Sequence, residues 1–135
     1  MSFNADALRQ TITVADGGWS TQLQMRGVPT NVPAESANLT HPDTVVALGT
    51  EYVDAGARFL TTNTFAANEF TLARRDLGDK VTEVNRRGAE LARAAADKGV
   101  GVLVVGSVGP SGKILAVKET TEDVLREKFA VQIGA

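Results

Sequence analysis

Three stretches of apolar and β-branched residues each run into a small or polar tip. They are residues 11–15, followed by the turn 16–18; residues 57–65, with the polar tip at 61–64; and residues 100–105, followed by the glycine-rich segment 106–110. Short runs of this kind bounded by glycine are typical of buried β-strands. The hydrophobic pattern therefore predicts three strands, each ending in a candidate binding loop.

Amphipathic segments separate these strands. Pro42 in a first helical turn and Gly56 as a terminator predict a helix between them, with Thr40 as its N-cap. A second helix is predicted over residues 66–77. A third is predicted to start at Asp79, as its cap, and to continue to about residue 98.

Two further segments complete the pattern. Residues 29–40 contain two prolines and two asparagines and are predicted to form a long surface loop beside the first strand tip. Residues 120–123 are predicted to cap a final helix that turns Val124, Leu125 and Phe129 inward.

The alternation of strands and helices predicts an α/β fold with a parallel sheet and right-handed crossovers. The carboxyl ends of parallel strands meet at one edge, so we expect the three polar tips to form one site. Three strands leave a sheet edge uncovered, although parallel sheets are normally buried. We therefore expect residues 1–135 to be one domain that is incomplete at its C-terminal side.

Composition excludes several classes of function. A net charge of −2 and 5% aromatic residues provide no nucleic-acid-binding surface. No apolar run is long enough for a membrane span, and the first residues lack the features of a signal peptide, so a cytoplasmic location is expected. Without cysteine and with one histidine, the chain cannot form the usual nitrogen and sulfur ligand set of zinc.

Each candidate site residue also has an ordinary structural explanation. Asp16 could cap the turn that follows it, Glu35 could be a solvated loop carboxylate, and Thr62 could satisfy backbone groups. Phe65 could belong to the core. Trp19 could be either a packing anchor or a wall of a pocket.

The segment 109–113, GPSGK, is similar to a phosphate-binding P-loop but departs from it. That loop needs a glycine, four intervening residues and then Gly-Lys-Ser/Thr, whereas this sequence has Ser107 at the first position and Ile114 after the lysine. A nucleotide-binding module is therefore kept only as a third alternative.

Taken together, six segments resemble the homocysteine S-methyltransferase family, which includes cobalamin-dependent methionine synthase and betaine–homocysteine methyltransferase. The resemblance covers nearly the whole chain, and residues 109–115 look closest to the methionine synthase branch. The segments are 16–21 (DGGWST), 33–42 (PAESANLTHP), 52–57 (YVDAGA), 62–65 (TNTF), 85–92 (NRRGAELA) and 106–110 (GSVGP).

The resemblance implies a (β/α)₈ barrel with its active site at the carboxyl ends of the strands. It also implies a zinc ion, held by three cysteine thiolates, that keeps the thiol of homocysteine as a thiolate for methyl transfer. By the same resemblance Asp16 would help to bind the amino group of homocysteine. Thr62 and Phe65 would line the pocket, with Glu35 and Ser107 as further substrate-binding residues.

This chain departs from the family pattern, because the family's cysteines lie on later strands and none is present here. We therefore expect the amino-terminal part of the barrel, about three βα units, without its metal centre and inactive alone. The methyl donor is not predicted. The alternative is a non-catalytic partial barrel that pairs with itself or with a second chain through the open sheet edge.

Overall fold

A small parallel sheet lies at the centre of the structure, a computed structural model that describes residues 12–135. Strand β1 (Phe59–Thr61) pairs in parallel with β2 (Leu103–Val105), with Phe59 beside Leu103. On the other side of β1, Ala15 forms a single parallel bridge with Phe59. The predicted parallel α/β arrangement is therefore confirmed, although the strands are shorter than predicted and the first is reduced to one bridge.

Six α-helices occur within residues 12–135. The four-residue helices Ala37–Thr40 and Glu69–Leu72 adjoin 3₁₀ turns, as does the helix Val81–Ala96. No helix in this part of the chain has the length and apolar character of a membrane span. The helices are α1 (Ser20–Met25), α2 (Ala37–Thr40), α3 (Pro42–Asp54), α4 (Glu69–Leu72), α5 (Val81–Ala96) and α6 (Glu122–Ile133), and the 3₁₀ turns are Ala34–Ser36, Ala73–Arg75, Gly78–Lys80 and Leu115–Val117.

Helices α3 and α5 form the core with the sheet. Leu60 of β1 is completely buried and packs in one cluster with Val53 of α3 and Ala95 of α5. Burial of a leucine side chain contributes about 1.5–3 kcal/mol, so this contact fixes the sheet on the two helices. The apolar face of α5 lies in the core, since Val81, Val84, Leu91 and Ala95 are all buried.

Gly88 brings α5 into close contact with the tip of β1. A Cβ atom at this position would lie 2.6 Å from Thr64 Cγ2 and 2.7 Å from Asn38 Nδ2. Both distances are far below van der Waals contact, so only glycine fits here without movement of the neighbours. The packing of α5 therefore determines where the polar tip 62–64 lies.

The predicted loop over residues 29–40 is wrong for its second half. Residues 34–40 form a 3₁₀ turn followed by α2, and residues 34–38 are buried. Thr40 is also not the cap of α3, because its hydroxyl donates to Ser36 O within α2 and the N-cap position is His41. The helix nevertheless starts at Pro42 as predicted, and Gly56 follows its end with φ +104°.

The single helix predicted over residues 66–77 is also wrong. The chain forms only one turn of α4, capped by the Asn68 side chain, and then a 3₁₀ turn that ends at Asp76 with φ +57°. The cap predicted at Asp79 is not found, since this residue lies inside a 3₁₀ turn that leads into α5.

Helix α6 begins as predicted, with the Thr121 side chain accepting a hydrogen bond from Val124 N. The predicted inward face is wrong for Val124, which is exposed, while Leu125 and Phe129 are half-buried. The buried residue of this helix is Gln132, whose amide donates to Thr64 O at 2.9 Å and to Asn85 Oδ1 at 3.3 Å. A hydrogen-bonded polar contact therefore replaces the expected apolar one.

Candidate functional site

Asp16 joins the first strand tip to β1. Its Oδ2 accepts hydrogen bonds from Thr61 N at 2.7 Å, Thr61 Oγ1 at 2.8 Å and Trp19 Nε1 at 2.9 Å. Hydrogen bonds to a carboxylate are short and strong, so one side chain fixes both the strand end and the indole ring. Among residues 12–135 no hydrogen bond uses Asp16 Oδ1.

Thr62 joins the tip of β1 to the tip of β2. Its Oγ1 accepts from Ser107 N at 2.9 Å and lies 2.5 Å from Thr64 Oγ1. Thr64 Oγ1 donates to Ser107 O at 2.8 Å, which assigns the proton between the two threonines to Thr62. The predicted convergence of the three tips is confirmed by these bonds and those of Asp16.

A buried asparagine pair supports the tip from behind. Asn38 Nδ2 donates to Asn63 O at 2.9 Å and to Val84 O at 3.1 Å, and Asn63 Nδ2 donates to Ala34 O and to Asn38 Oδ1. Both side chains are almost fully buried, so these bonds satisfy polar groups that water cannot reach. The tip is thus held by buried hydrogen bonds to several separate elements.

A cavity of about 250 Å³, here called the tip cavity, lies where the strand tips meet. Four of the five predicted site residues line it, and the fifth, Asp16, accepts a hydrogen bond from Trp19 of its wall. The lining residues are Gly18, Trp19, Ser20, Thr21, Glu35, Thr62, Asn63, Phe65 and Ser107.

Two predicted residues differ from their ordinary explanations. Phe65 is 57% exposed and forms a wall of the tip cavity, so it is not a core residue. Glu35 is 6% exposed, and its Oε1 accepts from Ala66 N at 2.8 Å, so it is not a solvated loop carboxylate. Trp19 is both a packing anchor and a wall of the pocket, because it packs on the core clusters and also lines the tip cavity.

The chemistry of the cavity suits binding of a small polar molecule. The Glu35 carboxylate and the hydroxyls of Ser20 and Thr21 offer polar contacts beside the apolar faces of Trp19 and Phe65. Within residues 12–135 no group of three His, Cys, Asp or Glu side chains could hold a metal ion. Sequence reasoning missed Ser20 and Thr21, although both belong to the motif DGGWST.

The glycine-rich segment does not have the arrangement of a P-loop. Lys113 N donates to Ser111 Oγ at 3.1 Å and Ile114 N donates to Glu119 Oε2 at 2.9 Å. Backbone amides that would cradle a phosphate are therefore engaged within the chain, and only a 3₁₀ turn follows. The geometry gives the nucleotide-binding alternative no support.

Known proteins are similar to this chain in sequence and in fold. The family model described as homocysteine S-methyltransferase matches residues 13–135. The chain belongs to the homocysteine S-methyltransferase family. Two relatives are each 32% identical: the methionine synthase of Mycobacterium leprae, over 92% of this chain, and betaine–homocysteine S-methyltransferase 1 of Sus scrofa, over 89%.

The fold also matches a solved member of this family. The metallated form of the homocysteine methyltransferase MmuM from Escherichia coli superposes on 96% of this chain with a TM-score of 0.81 and 22% sequence identity. The chain spans only part of these homocysteine S-methyltransferases. It covers 51% of the MmuM chain, 11% of the mycobacterial methionine synthase and 45% of the porcine enzyme.

Tyr52 fixes the Gly18 wall of the tip cavity. Its hydroxyl donates to Gly18 O at 2.7 Å, and its ring packs edge-on against Trp19. Burial, and then the charge of Asp16, raise the pKa of Tyr52 above its ordinary value of 10.0. The protonated phenol is thus the form that stabilises the folded state.

We expect Tyr52→Phe to lower the free energy of unfolding by about 1 kcal/mol at neutral pH, because one hydrogen bond is lost. Since the pKa is raised in the folded state, the unfolded chain loses the tyrosine proton first. Stability should therefore fall as pH rises above about 10. We would measure the free energy of unfolding by urea at a series of pH values around 10. It should decrease more steeply with pH for the wild type than for Tyr52→Phe. Equal pH dependence of the two proteins would contradict the raised pKa of Tyr52.

Proposed function

We propose that this chain is the amino-terminal, homocysteine-binding part of a (β/α)₈ barrel, and that the complete protein methylates homocysteine to methionine. The observation that carries the proposal is the tip cavity, where Glu35, Thr62, Phe65 and Ser107 come together. Family membership supports it, as do the names of the relatives, one of which is a betaine–homocysteine S-methyltransferase. A cavity at strand ends is also where barrel enzymes bind substrates.

The residues around the cavity supply complementary groups for an amino acid. Asp16 Oδ1 and the Glu35 carboxylate are the anionic groups that a substrate ammonium group would approach. The hydroxyl of Ser20 suits a carboxylate. The indole of Trp19 and the ring of Phe65 are apolar surfaces for the methylene groups of the side chain.

The residues of this chain do not fit a thiolate-held zinc ion. The sequence has no cysteine, and residues 12–135 contain no cluster of three metal-binding side chains. Zinc, which the family resemblance implies, would need ligands from polypeptide outside these 135 residues. In the proposal this chain therefore binds and orients homocysteine but does not catalyse methyl transfer alone.

Homocysteine binding tests this proposal directly. We expect homocysteine to change the fluorescence of Trp19, the single tryptophan of the chain, because the indole lines the tip cavity. In calorimetry, Asp16→Asn should weaken binding about tenfold, since it removes the negative charge that we propose attracts the ammonium group and keeps the size of the side chain. Absence of any binding by the wild-type chain would refute the proposal for these residues.

A matched control separates the site from general charge effects. Glu51→Gln removes a carboxylate of α3 that pairs with Arg26 at the surface and lies outside the tip cavity. We expect unchanged homocysteine affinity for this variant. Equal weakening by Glu51→Gln and Asp16→Asn would show that net charge, and not the site, governs binding.

The open edge of β2 supports the alternative of a partial barrel that pairs with another polypeptide. Within residues 12–135 β2 pairs only with β1, and strand alternation directs the Val104 N–H and C=O away from β1. Val131 and Ile133 of α6 are also exposed. Sedimentation should then show a dimer, or a complex with the partner chain, whereas a well-folded monomer that binds homocysteine would favour the first proposal.

A further inference from the structure

A second cavity, of about 260 Å³ and here called the arginine cavity, shares one wall with the tip cavity. Glu35 lines both cavities, and they have no other lining residue in common. The remaining walls of the arginine cavity are Val32, Pro33, Ala66, Thr71, Arg74 and Arg75.

Arg74 and Arg75 differ from several other arginines of the protein. Arg26, Arg87 and Arg93 each form an ion pair with a carboxylate. Among residues 12–135 neither Arg74 nor Arg75 has a carboxylate oxygen within 4.0 Å of its guanidinium. The cavity therefore has two adjacent cations that form no ion pair within 4.0 Å among the described side chains.

The backbone places Arg74 and Arg75, which are both exposed, at the cavity. They lie on the 3₁₀ turn Ala73–Arg75, which is anchored by the fully buried Leu72 and ended by Asp76 in the left-handed region. The loop at Gly112 passes beside Arg74, because a Cβ atom there would lie 3.2 Å from Arg74 Nη2. Glycine, with φ +70°, thus leaves this guanidinium its space.

Charges of both signs line the cavity. The Glu35 side chain is almost fully buried, with one oxygen held by Ala66 N, and the Thr71 side chain adds a hydroxyl. A fork of guanidinium donors matches the geometry of a carboxylate, while a buried carboxylate favours an ammonium group. Val32, Pro33 and Ala66 provide apolar surface among these groups.

We propose that the arginine cavity binds a small zwitterion, with its carboxylate on Arg74 and Arg75 and its cationic nitrogen toward Glu35. The site shares only Glu35 with the tip cavity, and the proposal does not depend on homocysteine binding there. The volume of about 260 Å³ lies at the lower end of ligand pockets, which restricts the occupant to a small molecule.

Two series of probes test the charge pattern. Linear ω-amino acids from glycine to 6-aminohexanoate would be titrated into the full chain by calorimetry, beside alkanoates of the same length. We expect at least one ω-amino acid to bind at least tenfold more tightly than its matched alkanoate. Equal affinities at every length would overturn the proposed role of Glu35, and no binding in either series would overturn the site.

A pair of double variants locates the binding. Arg74→Gln with Arg75→Gln should weaken binding of the best ω-amino acid at least tenfold. Arg86→Gln with Arg87→Gln removes another adjacent arginine pair, on the exposed side of α5, and should leave the affinity unchanged. Circular dichroism would verify that both variants are folded, and equal effects of the two pairs would refute the assignment.

Trp19 fluorescence distinguishes the two cavities, because Trp19 lines only the tip cavity. An ω-amino acid bound at the arginine cavity should leave this fluorescence unchanged and should retain its affinity in Asp16→Asn. If an ω-amino acid changes Trp19 fluorescence and no longer binds to Asp16→Asn, it occupies the tip cavity. That result would refute a binding site in the arginine cavity.

Discussion

Replacement of Gly88 by alanine is expected to lower the free energy of unfolding by about 3 kcal/mol. The added methyl group would lie 2.6 Å from Thr64 Cγ2 and 2.7 Å from Asn38 Nδ2. Relief of these contacts must displace α5 or break the buried hydrogen bonds of Asn38, and each of these costs about 1–3 kcal/mol. The ordinary gain of about 1 kcal/mol for alanine in a helix only partly offsets the loss.

Urea unfolding of Gly88→Ala and of Ala94→Gly would measure this effect. Ala94 is an exposed residue of the same helix, so its change to glycine reports helix propensity without a packing term. We expect Ala94→Gly to cost about 1 kcal/mol. A Gly88→Ala variant as stable as the wild type would show that α5 does not press on the strand tip.

Thr62→Val is expected to destabilise the protein by about 2 kcal/mol. Valine keeps the shape of threonine but removes the acceptor of Ser107 N and the donor to Thr64 Oγ1. Unsatisfied groups in a buried position each cost about 1–3 kcal/mol. The segment 106–110 should also lose its fixed position, which amide hydrogen exchange at Ser107 would detect as faster exchange.

Thr50→Val serves as the matched control for this change. The Thr50 hydroxyl donates to Val46 O within helix α3, so this hydrogen bond does not reach the strand tips. Because this hydrogen bond connects residues of one helix, Thr50→Val should lower the free energy of unfolding much less than Thr62→Val does. Amide exchange at Ser107 should not change. Equal losses for both variants would show that Thr62 contributes no more than a local hydrogen bond.

The parallel sheet and the meeting of its tips could be predicted from the sequence, because both follow from local patterns. Short apolar runs ending in polar residues specify the strands, and the helical segments between them require parallel pairing. Four predicted site residues accordingly line one cavity. The functional role of these residues, including the binding of the homocysteine amino group by Asp16, stays a prediction.

The buried polar network could not be predicted in the same way. Residues 34–38 carry few large apolar side chains, and their burial follows from hydrogen bonds between Asn38, Asn63 and backbone atoms of distant elements. Gln132 is similar, because a glutamine on a helix does not indicate an inward face until Thr64 O and Asn85 are known to lie there. Sequence periodicity registers apolar burial only.

The parallel pairing of β1 also governs the order in which the molecule can assemble. Both partners of Phe59, Ala15 and Leu103, are separated from it by a complete helical crossover, so no part of the sheet can form as a local hairpin. The 16-residue helix α5 lies between β1 and β2 and packs in one core cluster with α3, so we expect these helices to associate before β2 pairs. The binding loops should then acquire their shape late in folding, after the helices that support them.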